Sequence, residues 1–160
     1  MTFTYLILIL SIVILILLVI FFLITRPREG YVKVDSIFTP AELKFYKILN
    51  EILPEYVIFG KVRVADIINV DSKKAGRKYL KYFNRISKKH VDFLICDRET
   101  LSPLVAIELD DRSHERKERV ERDEFMDKVF GMADLPLLRF RVQKKYDKRK
   151  IREKIKNALQ

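Results

Sequence analysis

Cysteine is almost missing from this chain of 160 residues: Cys96 stands alone, so no intramolecular disulfide can staple the fold. Its setting inside an apolar run suits a buried thiol in a reducing compartment. No lysine or arginine precedes Arg26, and no charge of either sign occurs between Phe3 and Ile24. No acidic residue occurs from Lys73 to Lys89. No segment repeats another, which excludes a repeat array.

The first of the uncharged stretches sets the organisation. Only Thr4, Tyr5 and Ser11 interrupt a Leu/Ile/Val/Phe run that reaches Ile24, and roughly 20 apolar residues carry a helix across a bilayer. A cleavable signal peptide requires a basic leader, a shorter apolar run of about 7–15 residues and small residues at the cut. None of these is present, so the stretch reads as a single transmembrane helix. Arg26, Arg28 and Lys33 follow it, and the positive-inside rule then places the C-terminal domain in the cytoplasm of a cell-membrane protein with one span. The expected organisation is an anchor over residues 1–25, a juxtamembrane linker over 26–38 containing Pro27 and Gly30, and a domain over 39–160 large enough for its own core.

The net charge of +10 is unevenly spread. Residues 26–72 balance, with 7 basic and 7 acidic side chains. Residues 73–89 carry 8 basic and none acidic, residues 90–138 carry 7 against 13, and residues 139–160 carry 10 against 2. An acidic middle between two basic flanks suits a cation-dependent enzyme acting on a polyanion. The same flanks also suit anionic lipid beneath an anchor. Within the first flank, Tyr79, Tyr82 and Phe83 alternate with Lys73, Lys74, Arg77, Lys78, Lys81 and Arg85. Phosphates would pair with the cations and bases stack on the rings; a solvated linker, or an amphipathic helix packing its aromatics on the domain, is the other reading.

Hydropathy patterning gives the element order. Thr39-Pro40-Ala41-Glu42 opens a helix with Thr39 as N-cap and Glu42 closing a capping box, and Phe45, Tyr46, Leu49, Ile52 and Leu53 give it an apolar face. Tyr56 to Val70 reads as a strand continuing irregularly through Ala65–Ile68, with Asp66 either a further acidic contributor or an exposed turn residue. Val91–Cys96 and Pro103–Leu109 read as a hairpin about the polar turn 97–102. A charged helix follows, N-capped by Ser113 and reaching about Met132, with Val120, Met126, Val129, Phe130 and Ala133 as its stripe. Pro136–Val142 reads as a strand, and a basic helix begins near Tyr146. Helix, strand, β-hairpin, helix, strand and helix make an α/β domain.

Each hairpin strand carries a carboxylate that a core strand would not need. If the hairpin is symmetric about Thr100, Asp92 faces Glu108 with Cβ atoms about 5 Å apart, which is destabilising for like charges. Asp110 points to the face of Glu108, because strand side chains alternate. A divalent cation, Mg²⁺ or Mn²⁺, would offset the repulsion: Mg²⁺ is commonly held by one or two carboxylates plus substrate phosphate oxygens. His114, just past this strand, suits proton transfer at neutral pH. The alternative is that the carboxylates pair with Arg119, Arg122 or Arg139 and are structural.

An Asp on one strand followed by Glu-x-Asp on the next resembles the PD-(D/E)xK, or restriction-endonuclease-like, nucleases. In that fold the Asp and Glu bind Mg²⁺, and a lysine two positions after the Glu assists the attacking water. Asp92 and Glu108 match the two carboxylates; Asp110 stands where the lysine belongs. Over nearly the whole soluble part, the blocks TPAE, FGKVRVADI, KHVDFLICD, PLVAIELDDRSH, ERDEF and LPLLRFRV resemble the bacterial domain-of-unknown-function family 2726. Its ELDD-x-SH block is similar to the EVDG-x-x-H block of relatives of very-short-patch-repair endonucleases. The resemblance implies a restriction-endonuclease-like core preceded by a single transmembrane helix. It also implies metal binding by Asp92, Glu108 and Asp110, His114 as general base or acid, and Asp123 supporting His114 or Arg122. The expected partner is nucleic acid, met by Lys73, Lys74, Arg77, Lys78, Lys81, Arg85, Arg119 and Arg122.

Overall fold

The computed structural model describes residues 2–26, 30–110 and 117–159, with the side chains of Thr2 and residues 117–120 left aside. Two compact units are present, residues 1–35 and 36–160.

The first unit is helix α1, Thr2–Thr25. At 1.5 Å per residue it is about 36 Å long, against a hydrocarbon core of about 30 Å. It is long and apolar enough to cross a membrane. Its Leu, Ile, Val and Phe side chains are exposed on every side, so it has no single core-facing stripe. The hydroxyls of Ser11 and Thr25 donate to the carbonyls of Leu8 and Phe21 at 2.8 and 2.7 Å, so neither needs a partner outside the helix.

The second unit begins with α2, Pro40–Ile52, started by the expected capping box: Glu42 N–H donates to the Thr39 hydroxyl and Thr39 N–H to the Glu42 carboxylate. Strand β1, Val57–Arg63, follows. It stops seven residues short of the predicted strand end, because Val64–Ile67 turns into helix α3. The turn buries both Val64 and Ile68, four apart, in one apolar cluster, while Asp66 stays exposed; a strand would place Asp66 on the same face as those two. Val64 N–H leaves the sheet and donates to the Lys89 carbonyl at 2.8 Å. The basic run is helical: α4, Ser72–Ala75; a 3₁₀ turn, Gly76–Lys78; and α5, Tyr79–Ile86. Strands β2, His90–Cys96, and β3, Pro103–Asp110, form the hairpin. Helix α6, Lys117–Met132, strand β4, Leu137–Arg141, and helix α7, Lys148–Ala158, complete the unit. The predicted N-cap Ser113 and the neighbouring His114 lie outside the described residues.

The four strands stand in the order β1-β2-β3-β4. The first two pairings are antiparallel and β3 pairs with β4 in parallel, as a crossover through a helix permits. Helices α2 and α7 cover one face, where Phe45, Leu49, Ile151 and Ile155 meet Phe93, Ile95, Val105 and Ile107. Helices α3, α5 and α6 cover the other, where Val64, Ile86, Met126 and Phe130 meet Val91, Leu94 and Ala106. The domain is thus a three-layer α/β/α sandwich.

The first two strands exchange faces partway. In β1, Ile58 packs under α2 while Val62 packs on the opposite side, and in β2 the same holds for Phe93 and Val91. Strict alternation would keep each pair on one face. The exchange occurs at Lys61 and Asp92, the position skipped in the β1–β2 register, and Lys61 has φ +56°. Left-handed backbone costs a non-glycine residue roughly 1–2 kcal/mol, and persists only where the surroundings enforce it.

Beside this kink, Gly60 admits the ring of Phe38. A Cβ at Gly60 would lie 2.2 Å from Phe38 Cζ, and that ring is already held between Tyr46 and Phe93 at centroid distances of 5.1 and 5.5 Å. Gly60→Ala should therefore cost about 1–3 kcal/mol by overpacking, read as a lower urea midpoint. An unchanged midpoint would mean that Phe38 leaves its seat without loss.

Candidate functional site

The hairpin register is symmetric about Thr100 from Phe93↔Ile107 to Ile95↔Val105, then shifts at Cys96↔Pro103. Asp97 closes the turn by accepting from the backbone N–H groups of Glu99 and Thr100 and from the Thr100 hydroxyl. At the other end the paired register stops at Phe93, one residue before Asp92. Instead of a ladder bond, the Asp92 side chain accepts the Leu109 N–H at 2.8 Å through Oδ2. Its Oδ1 lies 3.2 Å from Lys61 Nζ, which also meets Glu42 Oε1 at 2.5 Å. Glu42 therefore both caps α2 and contributes to this cluster. The left-handed backbone at Lys61 delivers the ammonium between the two carboxylates. Burial opposes the charge on Lys61, but its hydrogen bonds to Glu42 and Asp92 win and raise its pKa. For Glu42 burial acts upward, yet Lys61 and the Thr39 bonds hold its pKa below the ordinary value.

Glu108 has a different set of partners. Among the described residues it is the one buried charged side chain, at 4% exposure. It stands opposite Arg139 in the parallel β3–β4 register, and Arg139 Nε donates to its Oε2 at 3.2 Å. Arg122 Nη2, on α6, is 3.6 Å from Oε1, beyond hydrogen-bonding length, and Oε1 is left buried without a hydrogen-bond partner. Desolvation raises the pKa of Glu108 despite the opposing fields of Arg139 and Arg122, with Asp123 adding to the rise. Arg139 is anchored in turn by Asp127 at 2.6 Å and by the Asp123 carbonyl. The pKa of Arg139 is raised: burial opposes its charge, but Asp127 and Glu108 outweigh that.

Two of the three expected carboxylates, Asp92 and Glu108, are thus cation-paired. Asp92 is drawn to Lys61, and Glu108 to Arg139 and Arg122, so the repulsion is relieved by side chains. No three His, Cys, Asp or Glu side chains gather to hold a metal among the described residues. Asp110 lies opposite Arg141 in the register, and its carbonyl accepts the Val142 N–H at 2.9 Å. His114 and the side chain of Arg119 lie outside the described residues. Asp66 is engaged by Arg63 at 2.5 Å in an exposed pair.

Of the predicted nucleic-acid contacts, Lys73, Lys74, Arg77, Lys78, Lys81 and Arg85 are all exposed along α4–α5, with Arg85 lying over the Phe125 ring at 4.1 Å. Arg122 instead faces Glu108. In the second basic flank, Lys148 pairs with Glu51 of α2 at 2.6 Å and Arg152 with Glu55, just past that helix, at 3.0 Å. That charge fastens α7 to the domain.

Lys61 is the residue that sequence reasoning missed. Its surroundings, Phe59-Gly60-Lys61-Val62, read as ordinary strand alternation, and only the glycine hints at a local irregularity. Asp127 was missed also; it lies one turn beyond Asp123 on the face that meets Arg139.

These features define a mixed α/β domain with a central four-stranded sheet, whose two middle strands bring paired carboxylates to the point where they separate. The chain belongs to the protein family of unknown function DUF2726, whose model matches residues 34–159. No curated protein and no solved structure matches it.

Proposed function

We propose that the chain is a membrane-anchored, divalent-metal-dependent phosphodiesterase of restriction-endonuclease-like architecture that acts on nucleic acid. The observation that carries this reading is Glu108 Oε1, a carboxylate oxygen buried without a hydrogen-bond donor on the strand beside Asp92. A buried polar atom left unpaired costs about 1–3 kcal/mol, and such an exception calls for an explanation, of which a catalytic role or a bound ion is one. The order helix, strand, hairpin, helix, strand (α2, β1, β2–β3, α6, β4) supports the architecture, with Asp92 and Glu108 on its two middle strands. The anchor and its cytoplasmic-side domain rest on α1 and on Arg26 and Lys33 after it.

In this reading Glu108, Asp92 and Asp110 would hold Mg²⁺ or Mn²⁺. Such an ion polarises a phosphoryl oxygen and lowers the pKa of bound water. The protein's own groups do the rest. Arg139 and Arg122 fix the Glu108 carboxylate and lower the cost of its charge. Lys61 brings to Asp92 the ammonium that the nuclease resemblance puts at position 110, where this chain has Asp110. A fixed cation there stabilises negative charge developing on phosphate. His114 serves as the proton carrier.

The full chain in detergent micelles should cleave single- or double-stranded DNA or RNA with Mg²⁺ or Mn²⁺. Glu108→Gln and Lys61→Met should each lower the rate about 10²–10³-fold, the magnitude for removing one preorganised electrostatic contact. Metal-dependent cutting that both variants retain would overturn the assignment. A second reading, a non-catalytic nucleic-acid-binding module, is favoured by the cationic partner that each of Asp92 and Glu108 already has. It predicts salt-dependent binding without metal that survives Glu108→Gln.

A further inference from the structure

We infer that the α4–α5 segment is a docking surface for an anionic lipid bilayer and lays the domain against the membrane that α1 enters. Residues 73–89 carry 8 basic and no acidic side chains. In the other basic flank, Lys148 and Arg152 are consumed by pairs with Glu51 and Glu55. Here Lys74 meets Asp71 at 3.8 Å, while Lys73, Arg77, Lys78 and Lys81 make no ion pair among the described residues. Apolar groups project among these cations: Leu80 is 68% exposed, and Tyr79 and Tyr82 are 37% and 42% exposed. Helix α5 is fastened to the domain by buried Ile86, on the face it shares with Tyr79 and Tyr82, and by Arg85 over Phe125, so the exposure of Leu80, off that face, belongs to a held helix.

Lysines about an outward leucine, with two partly exposed tyrosines at the rim, fit an interfacial helix: cations meet lipid headgroups while the apolar tip enters the acyl boundary. Nucleic acid would use the cations and stack on the tyrosines, but the most exposed apolar group, Leu80, has no π-face to offer a base. The connection supplies the second argument. Ten residues, 26–35, separate α1 from the folded domain, and fully extended they reach on the order of 35 Å. Any weak affinity for lipid is thereby exercised at high effective concentration. The inference does not depend on catalysis.

Cys96 is the single cysteine and is buried, so a nitroxide can be placed on Leu80→Cys in the full chain, with Met132→Cys, at an 80% exposed site, as reference. The chain is reconstituted in nanodiscs of phosphatidylcholine alone or with phosphatidylserine. With phosphatidylserine, the label at position 80 should become accessible to oxygen and shielded from a water-soluble nickel chelate, while position 132 stays in water. Neutral discs should leave both in water. Adding Lys73→Gln, Lys74→Gln and Lys78→Gln should shift the docked equilibrium back by on the order of 100-fold, at about fivefold per basic residue. A label at position 80 that stays in water on anionic discs overturns the proposal. So does one immobilised by added single-stranded DNA or RNA but not by phosphatidylserine, which would make the surface a nucleic-acid site.

Discussion

Replacing Arg139 by methionine should destabilise the domain by about 3–5 kcal/mol at neutral pH, the usual result of removing one partner of a buried ion pair. Glu108 would then keep a single arginine, Arg122, which at 3.6 Å makes no hydrogen bond to it. Asp127 would lose its partner too, but at 57% side-chain exposure water replaces it. The penalty depends on pH in a definite direction. The pKa of Glu108 is raised above the ordinary 4.5 by desolvation, and loss of Arg139 raises it further. Between the ordinary value and the raised one, the folded state binds more protons than the unfolded state, so stability falls as pH rises through that window. Below it Glu108 is neutral in both states, and the cost of the substitution shrinks. Urea unfolding of both proteins across this range checks the claim; midpoints that separate more at acidic pH would contradict it.

Phe93→Ala should cost a similar amount, about 3–5 kcal/mol, by combining lost transfer energy with the cavity left behind. Phe93 is fully buried and is the ring through which α2 grips the sheet. Its centroid lies 5.5, 5.8 and 6.2 Å from those of Phe38, Phe45 and Tyr46. It also adjoins Asp92 at the point where the two strands change faces, so collapse of the cavity should loosen the Asp92–Leu109 bond. Hydrogen exchange at the Leu109 amide should speed up beyond what global destabilisation explains. Phe93→Leu, which keeps much of the volume, should lose far less by both measures. Equal effects from the two substitutions would show that Phe93 is not the contact that sets this geometry.

Much of the architecture is legible in the residues because local and global preferences agree. The Thr39–Glu42 capping box, the apolar runs of β2 and β3 and the basic run after Tyr146 each name their own element. Legibility failed where tertiary contacts overrode the local pattern. Val64–Ile67 continues the Val/Ile-rich pattern of a strand but becomes helical, which buries Val64 with Ile68 and leaves Asp66 in water, whereas a strand would bury Asp66 beside them. The Asp92–Glu108 opposition was half readable. The hairpin symmetry is there, but which cation answers each carboxylate depends on chain neighbours 31 residues away, Lys61 for Asp92 and Arg139 for Glu108. No local pattern announces that Lys61 takes a left-handed conformation, because the kink exists only once β1 pairs with β2.

The divalent-cation site proposed at Asp92 and Glu108 can be read by calorimetric titration of Mn²⁺ into the full chain in detergent. Saturable binding is expected, abolished by Glu108→Gln and by Asp92→Asn, in variants whose urea midpoints show them folded. Absence of binding, or binding that both folded variants retain, would contradict it and leave the two carboxylates as ion-paired supports of the sheet.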